Sequence, residues 1–475
     1  MTLKLSIESA MGVVRRFLNL IVENSGRGTK SLRCIDLNRQ KLFNTSAPAR
    51  WASGSGSESE GEPQDTTSWA PGSVASSRKK KQAASVALKL GRISLPRPIL
   101  NFEASGTALD WSLECFPLSG RKVLCADQSG RTLLYDADAR FVAVVPDLNK
   151  PKSLPVSIFA ASTDAYDNDG GGGGTLFIME RFPEQETDRG HPSHQFEAFV
   201  YRKATSTSFT ESWNCQLLPP PPFVCDPKYW HSRPKISSYG VVDSSSSICL
   251  SVDGAGTYCL DTVKHTWSPA GEWTLPFRGK FEYVPDLRLW FGISAKDRRL
   301  TAVDLSSMDS PPQIVDSWKE LEPPEGWTEV LDPQLVSMGS GRFCIARFFQ
   351  TWIPGGLFGE ELVERYFSVI TGVDVVQHVG NGSVNANGGC NGSISNGYGK
   401  AQLGIIKHRS RRHMSYGSDD AWPWHSRCMV RDAEFVQVFL DNEPHRHSAT
   451  MTMLAAGSIG NVGSEEIHKR VSAHS

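Results

Sequence analysis

The sequence predicts an all-β fold: a β-propeller of about six to seven four-stranded blades, interrupted by disordered inserts and followed by a mostly disordered tail. Three observations predict it. Apolar runs recur in pairs around short polar turns, and the second run of a pair closes on an aspartate, as at Asp136, Asp261 and Asp304. Asp261 and Asp304 are 43 residues apart, and Tyr239 and Tyr283 are 44 apart. Both spacings match the roughly 40–50 residues of one four-stranded blade. Finally, tryptophan and proline follow the pairs at similar distances.

Taken in order, FLNLIVEN with SLRCIDLN, closing on Asp36, reads as a first hairpin. Residues 1–45 are assigned to it. Residues 46–88 are rich in Ser, Gly, Glu and Pro and cannot bury enough apolar surface to offset the entropy of ordering, so they read as a disordered insert. The propeller is assigned to 89–410. Within it, KVLCADQSGRTLLYDAD (122–138), ICLSVDGAGTYCLDT (248–262) and LWFGISAKDRRLTAVDL (289–305) share one pattern of strand, polar turn, strand and Asp. The closing Asp turns the chain by accepting from backbone N–H groups two residues on.

Looser copies are TLFIME with QFEAFVYRK, and LVSMGSGRFCIARFF followed by ERYFSVITGVDVV. Trp213, Trp267, Trp273, Trp318 and Trp327 follow hairpins, with prolines at 219–222, 276, 323 and 324. Their expected role is packing between blades. The glycine tract 170–174, the polar stretch 181–195 and the low-complexity piece 381–399 read as long loops. Residues 411–475 read as a mostly disordered tail, apart from the FVQVFL run at 435–440.

Composition narrows the function classes. The hydrophobic fraction is 39%, below the globular norm of roughly 45–50%, as expected if much of the chain joins no core. A formal net charge of −1 supplies no global field for nucleic acid or an anionic membrane. No apolar run reaches the roughly 18 residues of a membrane helix. The N-terminus has no apolar leader with a cleavage site, although Arg15 and Arg16 leave a transit peptide as an alternative. The ten cysteines, including Cys115, Cys125, Cys249, Cys259 and Cys344, are not spaced as metal-binding pairs. They are expected to be buried thiols rather than a disulfide framework. Sequons begin at Asn44, Asn381 and Asn391, but without a secretory signal they carry no weight.

The Tyr-Val-x-Asp strand, the Asp-closed hairpin and the Trp followed by Leu/Pro-Pro resemble the propeller domains of plant kelch and F-box-associated proteins. More closely, RRFLNLIVEN, SLRCIDLN and LFGEELVERYFSVITGV resemble a group of uncharacterised plant proteins. The resemblance spans residues 13–44 and 92–410. No double-Gly dipeptide ends the second strand as in standard kelch blades, and the Leu-Pro-led helical motif of F-box proteins is absent. The resemblance therefore implies kelch-like blades and an interaction role, not substrate selection for ubiquitination.

No catalytic, cofactor-binding or metal site is expected. Gly292-Ile293-Ser294-Ala295-Lys296 approaches a nucleophile elbow but lacks the closing Gly and a helix, so it reads as a strand end. The glycine tract lacks the Lys and helix of a phosphate loop. His191 with His194, and His445 with His447, are loose pairs without four convergent ligands. A copper oxidase on this fold would need Tyr and His ligands on the axis and a secretory signal. The expected function is a non-enzymatic scaffold binding a protein partner through its loop-bearing face, with the inserts near 165–195 and 378–400 modulating that surface. The alternative is a nuclear, nucleic-acid-associated protein using the basic segments 78–82 and 407–413. No membrane partner is expected, and the expected compartment is the cytoplasm, with the nucleus second.

Overall fold

The computed structural model describes residues 17–24, 29–44, 90–93, 95–104, 113–118, 122–136, 139–152, 154–161, 174–186, 193–202, 212–242, 247–355, 361–378, 402–414, 436–441 and 449–453. The insert 46–88 and the loop 381–399 lie outside them.

Strands β1 (Phe17–Asn24) and β2 (Thr29–Asp36) form the expected first hairpin, paired from Phe17↔Asp36 to Asn24↔Thr29. After the two-residue β3 (Gly91–Arg92), β4 (Leu100–Ala104) adds antiparallel to β2. Two four-stranded antiparallel meanders follow. The first is β5 (Leu113–Pro117), β6 (Lys122–Asp127), β7 (Thr132–Asp136) and β8 (Phe141–Val144). The second is β9 (Val156–Ala161), β10 (Gly174–Met179), β11 (Ser193–Arg202) and β12 (Ser212–Leu218).

Next come β13 (Ile236–Val241), β14 (Ser247–Val252), β15 (Gly256–Asp261) and β16 (Thr266–Gly271), then β17 (Phe277–Val284), β18 (Leu289–Ser294), β19 (Leu300–Val303) and β20 (Ile314–Trp318). These two meanders join edge to edge, because β13 and β17 pair in parallel at Ser238↔Gly279 and Tyr239↔Lys280. Gly240 permits this approach: a Cβ there would lie 2.6 Å from the Phe281 ring.

The last large sheet holds β21 (Thr328–Glu329), β22 (Gln334–Gly339), β23 (Arg342–Gly355), β24 (Glu361–His378) and β25 (Gln402–Met414), with β3 parallel on the edge of β25. Strand β25 runs four residues beyond the expected boundary at 410. The expected tail contributes β26 (Val436–Asp441), antiparallel to β1, and β27 (Ala449–Met453), parallel to β4.

Burial follows position within a meander. First strands β13 and β17 alternate buried with partly exposed residues. Second strands β6, β14 and β18 are buried on both faces beyond their first residue. Fourth strands β8, β16 and β20 hold no buried residue. A strand buried on both faces needs a neighbouring sheet on each side, and radial stacking provides it.

The cores confirm the stacking. Cys115, Val123 and Tyr135 pack with Leu32 and Phe102, and Leu124 and Leu134 pack with Ile178 and Phe199. Phe177 and Phe196 share a core with Ile248 and Leu260. Cys249 packs with Phe281 and Trp290, and Phe291 and Ile293 with Phe343 and Val373. The cycle closes where Leu18, Leu20 and Ile35 meet Met338, Ala346 and Phe348, joining the first sheet to the last. The fold is a β-propeller.

The turn chemistry agrees with the sequence. The Asp136 Oδ1 accepts from Ala139 N at 3.0 Å, Asp261 Oδ1 from Val263 N at 2.9 Å, and Asp304 Oδ1 from Ser306 N at 2.9 Å. Tyr239 and Tyr283 are not equivalent, however. Tyr239 opposes Leu250 in the middle of β14, whereas Tyr283 opposes Trp290 near the start of β18, after a bulge in β17.

The cysteine expectation is corrected. Cys249 and Cys259 are register partners in β14 and β15, with Cα atoms 4.2 Å apart, and form a disulfide. The three-residue turn 253–255 between β14 and β15 sets Cys249 directly opposite Cys259, ten positions on. The same spacing brings Cys115 and Cys125 together, with sulfurs 3.7 Å apart.

Candidate binding surface at the mouth of the ring

In an antiparallel meander, the start of the first strand and the turn between the second and third strands lie at the same end. The parallel pairing of β13 with β17 aligns the inner strands. One face of the ring therefore gathers the entries to β13, β17 and β22 together with the turns after β10, β14, β18 and β23.

Cationic side chains converge there. Lys235 immediately precedes β13, Arg278 is the second residue of β17, Arg181 follows β10, and Arg298 lies in the turn between β18 and β19. The Ile236 amide donates to the Arg181 carbonyl at 3.0 Å, holding the second of these meanders against the first. Asp332, just before β22, is their shared carboxylate. Arg181 Nη2 lies 3.3 Å from it, Arg278 donates to it through Nε, and Arg298 Nη1 is 4.0 Å away. Arg298 also donates to the Leu331 carbonyl at 2.6 Å and pairs with Glu329 at 2.8 Å. Glu329 is shared with Arg347 at 3.0 Å, and Arg347 also holds the buried Glu320.

Charge at this mouth is not balanced evenly. Burial pushes the Lys235 ammonium below its ordinary pKa, and Arg181 and Arg278 push it further, against the opposing pull of Asp332 and Asp253. Lys235 lies 5.9 Å from the centre of the Phe182 ring. The Nε of Arg181 is buried and has no hydrogen-bond partner among the described residues. Burial also raises the pKa of the Tyr239 phenol, while Arg181 and Lys280 act in the opposite direction.

The long hairpin β23–β24 projects from the same face. Beyond Gln350 and Phe367, where neighbouring strands end, residues 351–355 and 361–366 continue as a two-stranded ribbon. Trp352 is 55% exposed and Leu362 is 64% exposed on it. Trp352 and Leu362 stand on the same side of the ribbon, because Trp352 is the register partner of Glu364, two residues from Leu362. Of the two inserts expected to modulate the surface, the one near 165–195 is divided by β10: residues 180–186 leave that strand at this face, whereas β9 ends and β10 begins at the opposite one. The strands flanking 379–401 end at the opposite face.

A second polar cluster is structural. Glu197 accepts from Asn149 N and Nδ2, both at 2.8 Å, and from Lys152, with both charged side chains fully buried. Burial raises the Glu197 pKa, but Lys152 and Asn149 outweigh it and hold the carboxyl below its usual range. Cys215 donates to the same carboxylate at 3.2 Å, and burial together with that charge raises its thiol pKa far above the ordinary value. A thiol held protonated in this way is no nucleophile.

The other residues singled out in the sequence disperse. Ser294 Oγ caps its turn by accepting from Lys296 N and Asp297 N at 3.2 and 3.3 Å. His194 lies in β11, while His191, His445, His447 and segment 78–82 lie outside the described residues. Segment 407–413 is part of β25 and largely occupied. His408 pairs with Asp374 at 3.1 Å, Ser410 bonds Thr371 at 2.9 Å, Arg411 donates to the Gln40 carbonyl at 3.1 Å, and Arg412 stands over Phe367. Trp267 packs at 5.4 Å on Phe196 and donates to the Pro219 carbonyl, the packing role expected of it. A groove of about 430 Å³ lies beside it, lined by Pro219, Pro222, Tyr258 and His265. Among the described residues no group of three or more His, Cys, Asp or Glu could hold a metal, and no helix is long and apolar enough to cross a membrane.

Comparison with known proteins adds a family. The model of a family described as "Protein of unknown function (DUF1668)" matches residues 15–413. No curated protein matches the chain. Among solved structures, a protein of unknown function from Bacteroides thetaiotaomicron is similar at 10% identity, over 53% of this chain and 54% of that one, with a TM-score of 0.28. An auxiliary nutrient binding protein from the same organism gives 10% identity, 54% and 52% coverage, and a TM-score of 0.28. The Cps50 (Swd1) β-propeller domain of Myceliophteria thermophila gives 9% identity, 55% and 96% coverage, and a TM-score of 0.24. The chain spans about half the length of the first of these, at 54%.

Proposed function

The chain belongs to the DUF1668 family, and on that premise we propose that it is a non-enzymatic scaffold binding a protein partner through the face that carries the cationic mouth. The observation that carries this reading is the meeting, on one face, of Arg181, Lys235, Arg278 and Arg298 with the projecting ribbon of Trp352 and Leu362. A charged centre gives orientation and rapid encounter, and apolar residues beside it supply burial. The resemblance to plant kelch and F-box-associated propellers supports a scaffold as well. Cytoplasmic residence, with nuclear entry second, belongs to the same reading.

The test is affinity capture with the full chain, with and without nuclease, followed by direct binding of the purified partner. One protein partner retained after nuclease, and weakened about tenfold or more by Trp352→Ala with Leu362→Ser, is the expected result. Loss of all retained partners on nuclease treatment overturns the reading in favour of a nucleic-acid-associated protein.

A further inference from the structure

We propose that the cationic mouth receives an acidic segment of the protein partner, with Lys235 and Arg181 supplying the donors that meet its carboxylates. This rests on the scaffold reading above and specifies the chemistry of its partner.

Four cations from four separated stretches of chain meet at one place. Asp332 is shared by Arg181, Arg278 and Arg298, so it saturates none of them. The next carboxylates, Glu329 and Glu320, are engaged by Arg347. What remains accessible is a half-buried ammonium at Lys235, which makes no ion pair among the described residues, beside the partly exposed guanidiniums of Arg181, Arg278 and Arg298. Folded proteins pair their buried charges and donors. A surplus of donors on an accessible face is what an incoming anion would satisfy. Burial holds the Lys235 pKa down, and Arg181 and Arg278 add to it.

The kind of anion follows from the geometry. Asp332 already shows how these guanidiniums hold a carboxylate, as a bridge between residues of different sheets. The exposed ribbon beside the mouth offers contacts to a longer chain and none to a lone ion. Both features favour an acidic peptide over a small anion.

The experiment measures binding of fluorescein-labelled octaglutamate to the full chain by anisotropy at low salt, with octalysine and inorganic phosphate as controls. Octaglutamate should bind and octalysine should not, and the affinity should fall as salt is raised. Lys235→Gln should weaken binding about fivefold while leaving the thermal midpoint unchanged or higher, because it removes a charge the fold disfavours. Asp332→Asn should tighten binding severalfold, by removing the carboxylate that competes. The assignment is overturned if octaglutamate fails to bind, if Lys235→Gln binds it as well as the native chain, or if phosphate binds as tightly as the peptide. A partner captured equally by native chain and Lys235→Gln overturns it too, yet leaves the scaffold reading intact.

Discussion

The Glu197 cluster and the Asp332 cluster use the same chemistry to opposite ends. At Glu197, one buried ammonium, two amide donors of Asn149 and a thiol surround one carboxylate, and every group has its partner. The result pins the chain between β8 and β9 onto β11. At Asp332, three guanidiniums share a carboxylate while Lys235 beside them makes no ion pair among the described residues. The first is closed and holds the fold together; the second is open toward solvent and poised for a ligand. Satisfaction, not charge density, separates a structural cluster from a binding one.

Removing a partner from each cluster should expose the difference. Glu197→Ala leaves a buried ammonium unpaired and should cost about 3–5 kcal/mol in urea unfolding. Breaking the Cys249–Cys259 link by Cys249→Ser should cost about 2–3 kcal/mol, the range for a short closed loop. Asp332→Asn, at a partly exposed site, should cost about 1 kcal/mol, since solvent screens the arginines it leaves.

Acid should discriminate as well. Glu197 and Asp374 both titrate below their usual range. Burial opposes this, but Lys152 and Asn149 outweigh it for Glu197, and His408 and Arg342 do so for Asp374. A depressed folded pKa means stability that is present above the unfolded pKa of about 4 and lost as pH falls through the folded one. Thermal midpoints should therefore fall steeply below about pH 4. Glu197→Gln should flatten that fall, whereas Lys235→Gln should leave its shape unchanged.

The hairpins were legible in the sequence because their signals are local. Asp261 and Asp304 turn the chain within three residues, and the apolar runs on either side set the strands. The mouth was not legible, because Arg181 and Asp332 are 151 residues apart and only the ring brings them together. The basic run 407–413 drew attention by its density, yet β25 turns most of it toward neighbours. The disulfide had a local signal, two cysteines ten apart across a three-residue turn, which places them directly opposite. The tyrosine spacing misled, because a bulge in β17 shifted the register beneath an apparent repeat.

The most direct test of the contrast between the two clusters is a pair of urea-unfolding curves at neutral pH, for Glu197→Gln and Lys235→Gln. A marked loss of stability for Glu197→Gln, with none or a gain for Lys235→Gln, is the predicted outcome. Equal losses from both substitutions would contradict it, and would make the mouth another structural pin.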